Sequence, residues 1–353
     1  MKKLLLAFVA LLVIAFVAFQ VPAVQDRLVG AVMKRNMDNR DRQALFADDA
    51  MRLLVCGSSS PFPSEDRARP CLAVIAGGKF YVVDTGSGSW NRLALLRIPG
   101  DRIGAVLLTH FHSDHIGDLG EFDMQTWVAG RPGPLSVYGP EGVEKVVSGF
   151  GQAYELDHGY RVAHHGAEML KPEYGHMKPI TAQLGDGPQP LFTDGDLRVS
   201  IFPVSHAPIH PAVGYRFDYK GRSIVISGDT TKDARVVAAS KGVDLLAHEA
   251  QNQEMVARLA ATAESLDRPR LRKVFHDIPD YHTSPVEAAE VANEAGAKLL
   301  LMYHLTPPPP KALERRFLAG VSDIRPKGVA LARDGMLVEL PLAGGEPVVT
   351  QLR

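Results

Sequence analysis

The chain has 353 residues, of which 46% are hydrophobic and 22% are charged, the balance of an ordinary globular protein. This balance excludes a disordered, collagen-like or disulfide-scaffold chain, and the length allows one large α/β domain. Lysine and arginine number 39 against 40 acidic residues, which gives a net charge of -1. Proteins that bind the phosphates of nucleic acid are usually far more basic, so the charge gives no support for that partner.

The N-terminal residues combine a basic start with an apolar run. Lys2 and Lys3 precede uninterrupted apolar residues from Leu4 to Phe19, which as a helix would span about 24 Å, less than a hydrocarbon core of about 30 Å. The pattern predicts a signal peptide or an N-terminal membrane anchor over residues 1–23. Residues 24–50 are charged, show little periodicity and predict a linker. We therefore expect an exported protein, periplasmic or secreted, or one anchored to the inner membrane. The basic residues after the run leave the cytoplasmic side open.

Residues 51–353 are predicted to form the catalytic domain, with strands first and then strands that alternate with helices. The predicted strands are Met51–Cys56, Leu72–Ala76, Phe80–Val83, Gly104–Thr109, Leu135–Tyr138, Leu197–Val204, Gly214–Tyr219, Arg222–Ser227, Val243–Ala247 and Lys298–Tyr303, with a closing hairpin near Gly328–Leu340. A helix is predicted over Gly142–Gly149, and a capping box at Ser284 opens another through Ala295. The pattern predicts an α/β (α+β) fold of two sheets packed face to face with helices outside.

Residues 151–185 stand apart because they are rich in histidine and tyrosine and show weak periodicity. Long segments of this kind in a compact domain are usually functional loops. We expect a lid insertion whose side chains contribute to substrate binding; the candidates are Tyr160, Arg161, His164 and His165. A surface insertion with incidental histidines is the alternative.

Three imidazoles and a carboxylate follow the predicted strand that ends at Thr109. The sequence from His110 to His115 reads His-Phe-His-Ser-Asp-His, and the alternate spacing directs His110 and His112 toward one point. Asp114 and His115 then reach a neighbouring point. Imidazole nitrogen and carboxylate oxygen are ligands that zinc accepts readily, so the spacing predicts a metal site.

This motif after a hydrophobic strand resembles the signature of the metallo-β-lactamase superfamily, and the resemblance runs over nearly the whole chain from Leu53. It implies the four-layer αβ/βα sandwich and two divalent metal ions, most readily Zn²⁺. The resemblance implies one zinc held by His110, His112 and His206 and a second held by Asp114, His115 and His304, with Asp229 as the bridging ligand.

Further motifs resemble the tRNase Z-like branch. Residues 54–63 and the sequence Val-Asp-Thr-Gly at 83–86 resemble the opening of those enzymes. His248-Glu249-Ala250 resembles a second motif of the branch, and His282-Thr283-Ser284 resembles a third. The resemblance gives catalytic roles to Asp114, Glu249 and His282, with His282 as the general acid and Glu249 as its partner. A histidine suits that role because its pKa lies near neutrality.

Two departures separate the chain from tRNA-processing enzymes. Only one predicted hairpin lies between His206 and Asp229, which leaves no room for the tRNA-clamping arm of that family, and Leu-Thr-Pro-Pro-Pro-Pro follows His304. Exported arylsulfatase-like members of the branch are more similar in this arrangement. We therefore expect a binuclear-zinc hydrolase that uses a metal-bridging hydroxide on small anionic sulfate or phosphate esters.

Several alternatives stay open at this point. A 3′-tRNA-processing endoribonuclease of the tRNase Z type is the main alternative, although we do not expect nucleic acid as the partner. A lactonase, a β-lactamase or a non-catalytic metal-binding protein fits less well. Cys56 and Cys71 could form one disulfide after export or remain buried thiols. Members of this branch are often dimeric, which makes a homodimer one expectation, and an uncleaved N-terminal segment would add the membrane as a partner.

Overall fold

The computed structural model describes residues 2–352, and the chain divides into two compact units, one ending at Ala44 and the other beginning at Leu45. The first unit is helical, with α1 (Lys2–Phe19), α2 (Pro22–Met37) and α3 (Arg40–Gln43). Most of residues 24–43, which belong to the predicted linker, are helical, and the linker assignment itself stays a prediction. Pro22 occupies the first turn of α2, where its fixed φ favours a helix, and this signal outweighs the weak periodicity.

The N-terminal helices bear on the predicted membrane segment. Among residues 2–352, no helix taken singly has both the length and the apolar character needed to cross a bilayer. Leu11–Phe19 and Pro22–Arg35 meet those criteria only together, as a pair bent by 81°. The signal peptide or anchor, the exported location and the homodimer stay predictions.

In the second unit, the residues that the structure describes include fifteen strands, which form two sheets. The strands are β1 (Ala50–Gly57), β2 (Cys71–Ala76), β3 (Lys79–Val83), β4 (Ile103–Leu107), β5 (Leu135–Gly139), β6 (Met177–Thr181), β7 (Gln189–Asp194), β8 (Leu197–Pro203), β9 (Val213–Tyr219), β10 (Arg222–Ile226), β11 (Leu245–Gln251), β12 (Leu299–Thr306), β13 (Val329–Leu331), β14 (Met336–Pro341) and β15 (Val348–Gln351). The first sheet has the order β15-β14-β1-β2-β3-β4-β5-β6, and the second has the order β13-β12-β11-β10-β9-β8-β7. β10, β11, β12 and β13 pair in parallel, so their carboxyl ends lie at one edge.

The helices of the second unit lie outside the sheets. They are α4 (Ser89–Leu95), α5 (Ser113–Ile116), α6 (Leu119–Val128), α7 (Val143–His165), α8 (Ala234–Ala239), α9 (Gln253–Ser265), α10 (Pro269–Asp277), α11 (Pro285–Ala295), α12 (Glu314–Phe317) and α13 (Val321–Ile324). The predicted capping box is present, since the Ser284 side chain and Glu287 satisfy each other's backbone N–H groups at the start of α11. The helix predicted over 142–149 is much longer than expected.

Side-chain alternation along the strands explains the four layers. In β1, Leu53 and Val55 belong to the central core between the sheets, whereas Leu54 and Cys56 belong to the core under the outer helices. Successive side chains of a strand point to opposite faces, so a strand buried on both faces is apolar throughout. A third core covers the outer face of the second sheet. The predicted αβ/βα sandwich is confirmed.

The segment 151–185 does not form a separate lid. Residues 151–165 continue α7, and residues 177–181 add β6 to the edge of the first sheet. The turn between them packs on α6: the Trp127 indole N–H donates to Lys171 O at 3.0 Å, and Arg131 Nη2 donates to Tyr174 O at 2.6 Å. Tyr154 and Tyr174 contribute to this packing, as does the His158 ring 5.1 Å from Trp127, whereas Tyr160 is exposed.

A disulfide joins the end of β1 to the start of β2. Cys56 and Cys71 are bonded, both are fully buried, and the bond closes the loop 57–70. This loop carries Phe62, one of the residues that line the cavity described below. Of the two alternatives left open by the sequence, the structure has the paired form.

Candidate metal centre

Strand ends from both sheets bring the predicted ligands together. His110 follows β4, His206 follows β8, Asp229 follows β10, and His304 lies in β12. β8 runs antiparallel to β9, which runs antiparallel to β10, so β8 ends at the same edge as β10 and β12. Side chains at the strand ends therefore converge without a long connecting loop.

A bulge in β12 presents His304 to this edge. Glu249 pairs with Tyr303 and Ala250 pairs with Leu305, so His304 is an extra residue in the ladder. Its φ is 48°, in the left-handed region that a non-glycine residue adopts at a cost. Bulges of this kind re-aim a side chain and are common beside active sites. The sequence predicted His304 as a ligand but not the distortion that positions it.

Two neighbouring triads of ligand atoms result. One triad is His110, His112 and His206, and the other is Asp114, His115 and His304. Asp229 forms a further group with His110 and His115, and another with His282 and His304. Within each group the ligand atoms lie within 4.8 Å of one another. Several of these atoms are buried and have no hydrogen-bond partner, namely Asp114 Oδ2, His115 Nε2, His206 Nε2, Asp229 Oδ1 and His304 Nε2. Buried polar atoms are costly when unpaired, and imidazole with carboxylate is a common divalent-metal donor set. The residues fit two divalent metal ions.

Two of the imidazoles are oriented by hydrogen bonds to Nδ1, the ring nitrogen that points away from the centre. His115 Nδ1 lies 2.8 Å from Asp84 Oδ2, and Asp84 also accepts the Thr109 N–H at 2.8 Å. His206 Nδ1 lies 2.9 Å from the Tyr281 carbonyl oxygen. Each bond leaves Nε2 to face the centre, as in metal sites where the outer partner fixes the ring. Asp84 stands in the Val-Asp-Thr-Gly stretch that resembles the family opening, but the sequence did not reveal this orienting role.

The charges of the centre suit metal binding. Burial raises the pKa of Asp114, but His115 and His304 outweigh it and bring that pKa to about 2. Burial likewise opposes the ionisation of Asp229, while His304 and His115 hold its pKa well below the ordinary value. Burial lowers the pKa of His206 to about 4. The carboxylates are therefore ionised and His206 is neutral, which are the forms that bind a metal. Burial lowers the pKa of His115, but the surrounding carboxylates outweigh it and raise that pKa well above its ordinary value, so a metal bound there would displace the proton of His115.

Glu249 and His282 form a pair beside the ligands. Glu249 Oε1 lies 2.9 Å from His282 Nδ1 and accepts the backbone N–H groups of Thr230 at 3.2 Å and Thr283 at 3.1 Å. Burial lowers the pKa of His282, but the charge and hydrogen bond of Glu249 outweigh burial and raise it. The His282 ring centroid is 5.2 Å from that of His206 and 5.4 Å from that of His304. An imidazole whose pKa is raised by Glu249 is thus held next to the metal ligands.

A cavity of about 290 Å³ opens onto this centre. It is lined by several of the ligands, by His282, and by the apolar side chains of Phe62, Val274, Ile278 and Tyr281. A larger cavity of about 570 Å³ lies between the segments 63–67 and 308–314 and contains none of the histidines. The chemistry belongs to the smaller cavity, because several ligands of the metal centre and His282 of the acid pair line it.

The structure brings together the seven predicted ligands and both members of the predicted acid pair. Tyr160, Arg161, His164 and His165 do not join them: all four lie on α7, and no residue of 151–185 lines the cavity. The apolar wall residues Val274, Ile278 and Tyr281 were missed. They lie in and after α10, where Leu271, Val274, Phe275 and Ile278 recur at the spacing of a helix face, a signal that the sequence does carry.

Comparison with known proteins places these features in a family. The model of the β-lactamase superfamily domain matches residues 81–305. Enzymes named ribonuclease Z are similar over most of the chain. The one from Mycobacterium bovis (strain BCG / Pasteur 1173P2) is 35% identical over 260 residues, which is 73% of this chain and 86% of that protein. The one from Mycobacterium sp. (strain KMS) is 32% identical over 292 residues, covering 82% and 96%.

Solved structures share the fold. The metallo-β-lactamase fold protein YhfI from Bacillus subtilis superposes with a TM-score of 0.59 at 23% identity, covering 82% of this chain and all of that chain. The short form of human tRNase Z superposes with a TM-score of 0.58 at 20% identity and the same coverage. At these identities the likeness shows the fold alone.

The relatives overturn one expectation from the sequence. An arylsulfatase-like enzyme acting on sulfate esters is contradicted by the relatives named ribonuclease Z, which favour the endoribonuclease alternative. They also oppose the expectation that nucleic acid is not the partner. That expectation used the net charge of the whole chain, which averages over the surface and does not report a local concentration of cations.

Proposed function

This chain belongs to the β-lactamase superfamily and is a metal-dependent hydrolase, and we propose that it is an endoribonuclease of the ribonuclease Z type. The proposed reaction is cleavage of a phosphodiester bond at the 3′ side of a precursor tRNA. The observation that carries the proposal is the Glu249–His282 pair, 2.9 Å apart, beside the ligand centre. When a phosphodiester is cleaved, its leaving group departs as an alkoxide and needs a proton, which this pair can supply.

The ligand set would hold two divalent ions, for which we propose zinc because the donors are imidazole and carboxylate. When bound, such a pair of ions activates water as a nucleophile and neutralises the negative charge that develops on a phosphate. The remaining steps belong to side chains of this chain.

The cavity and the acid pair supply those steps. Phe62, Val274 and Ile278 form an apolar wall that limits water around the scissile phosphate. His282 Nδ1 is engaged by Glu249, so Nε2 is the ring nitrogen left for the substrate. As the P–O bond to the leaving group breaks, His282 gives its proton to the leaving oxygen. Glu249 fixes the ring and stabilises the imidazolium before that transfer.

Purified full-length protein loaded with zinc tests the proposal against two substrates: a tRNA transcript with a 3′ extension and bis-p-nitrophenyl phosphate. We expect cleavage of both, with the transcript cut at the end of the tRNA body, and loss of both activities in Asp229→Asn. Hydrolysis of the small diester without cleavage of the transcript would overturn the RNA assignment and leave the metal-dependent hydrolase. Measured metal content identifies the ion.

A further inference from the structure

The position of a tRNA-clamping arm between His206 and Asp229 is occupied by a tight hairpin. β9 and β10 pair antiparallel through Tyr219 and Arg222, and only Lys220 and Gly221 lie between them. A substrate RNA would therefore need another surface near the cavity. The described part of the chain offers one in the helical hairpin of α9 and α10, inserted between Glu249 and His282.

The α9–α10 hairpin is held at the mouth of the cavity by contacts on both sides. Gln251 Nε2 donates to Ile278 O at 3.3 Å and ties the end of β11 to the end of α10. The Phe275 ring stacks on Phe62 of the loop 57–70, with centroids 5.7 Å apart and planes 15° apart. Val274 and Ile278 line the cavity itself. The face of α10 that carries these residues is therefore continuous with the catalytic pocket.

This face is apolar but not covered. Leu271 is 48% exposed and Val274 is 50% exposed. The stripe leads outward from the cavity at intervals of three and four residues, which places it on one side of the helix. An exposed apolar stripe that begins in a catalytic cavity is suited to contact part of a substrate. The faces of bases and riboses are substrate parts that pack on such a surface.

Cations flank the stripe, and they divide into two groups. Arg272 is paired with Glu264 at 3.0 Å, and Lys273 is paired with Asp277 at 2.7 Å. Arg268 and Arg270 are exposed and have no carboxylate partner among residues 2–352. Arg270 lies four residues before Val274, one helical turn farther from the cavity on the same face. Arg270, a guanidinium group without a carboxylate partner among residues 2–352, thus lies about 6 Å along α10 from the cavity-lining Val274, and Arg268 lies beyond it at the start of the helix.

We infer that the α9–α10 hairpin is the RNA-docking element of this enzyme, with Arg268 and Arg270 binding phosphates of the strand and the stripe of Leu271 and Val274 contacting its sugars and bases. The inference rests on the proposed function and adds the substrate-binding surface to it. Charge complementarity favours an RNA strand, because arginine and phosphate pair well. Arg272 and Lys273 are already paired with carboxylates, so Arg268 and Arg270 are the arginines we assign to phosphate binding.

Binding of a fluorescently labelled single-stranded RNA to the full-length, zinc-loaded protein tests the inference across a salt series. Log affinity falls with log salt, and each phosphate contact with a single strand contributes about −0.7 to that slope. Removing two contacts in Arg268→Ala/Arg270→Ala should make the slope less negative by about 1.4. Wild-type protein should then lose about 7-fold more affinity than the variant between 50 and 200 mM salt.

Arg272→Ala/Lys273→Ala is the matched control, since it removes two positive charges from the same helix that are already paired. We expect it to keep the wild-type slope, and both double variants to keep wild-type rates on bis-p-nitrophenyl phosphate. Equal slopes in the two double variants would overturn the inference. The inference would also be overturned if Arg268→Ala/Arg270→Ala bound RNA as the wild-type protein does but no longer sedimented with phosphatidylglycerol vesicles. RNA that is bound with the expected slope but never cleaved would overturn the proposed function and support the docking surface.

Discussion

Glu249→Gln tests the acid pair with little structural change. The glutamine side chain keeps a carbonyl oxygen for the N–H groups of Thr230 and Thr283, which Glu249 Oε1 accepts at 3.2 and 3.1 Å. It removes the negative charge 2.9 Å from His282 Nδ1. A hydrogen bond to a charged group contributes about 1.5–3 kcal/mol, so its loss should reduce kcat/KM by roughly 10- to 150-fold.

The pH profile separates this role from a structural one. Burial lowers the pKa of His282, and Glu249 raises it above the ordinary value by charge and hydrogen bonding. The general acid acts in its protonated form, so activity is present below this pKa and is lost as the pH rises through it. In Glu249→Gln the pKa falls, and the alkaline limb of kcat/KM should move to lower pH. A merely structural residue would lower the rate without moving the limb.

His282→Ala supplies the comparison. It should keep the metal content of the wild-type protein and slow cleavage of RNA by roughly 10²–10⁴-fold. The loss should be smaller for bis-p-nitrophenyl phosphate, whose leaving group needs no proton. Because the two residues act as a unit, the double variant should be no slower than His282→Ala. Additive losses, or equal losses on good and poor leaving groups, would refute the assignment of the acid.

Three further changes test the centre and its frame. His112→Ala removes a ligand and should reduce bound metal and activity together, as measured by metal analysis and bis-p-nitrophenyl phosphate assay; full metal content would contradict its role. Cys56→Ser/Cys71→Ser opens a loop of sequence separation 15 and should lower the free energy of unfolding by about 3 kcal/mol in urea titrations. Gly228 has φ of 65°, and a Cβ there would lie 2.4 Å from Val213 O. Gly228→Ala should therefore cost about 1–3 kcal/mol and displace the adjacent Asp229, with reduced metal affinity by calorimetry; unchanged affinity would show that the backbone absorbs the strain.

The metal centre was predictable because its spacing is local. His110, His112, Asp114 and His115 lie within six residues, directly after an apolar run, and that pattern fixes the direction of their side chains. His206, Asp229 and His304 are distant in sequence and were assigned by resemblance to the superfamily; the structure places His304 within β12. Its bulge was not predicted, because the bulge is defined by pairing with a distant strand, and no local signal reports it.

The elements that sequence reasoning missed have physical reasons. Helix α7 contains Gly149, Gly151 and Gly159, which disfavour a helix and hide its length, although tertiary contacts stabilise it. Its histidines were therefore assigned to a lid insertion, whereas the structure places His158, His164 and His165 on α7. Helix α10 is short and rich in arginine, so its apolar stripe was overlooked. Val274 of that stripe, together with Ile278 after the helix, lines the cavity.

The buried disulfide bears on the compartment in which the chain folds. Cys56 and Cys71 are fully buried, so we expect a reductant added to the folded protein to reach the bond through opening of the fold. Disulfides persist in secreted and periplasmic proteins and are rare in the reducing cytosol. The oxidation state of this pair therefore reports whether the chain folded in an oxidising or a reducing compartment. Counting free thiols in denatured protein taken from its own cells would measure that oxidation state without reference to the N-terminal helices.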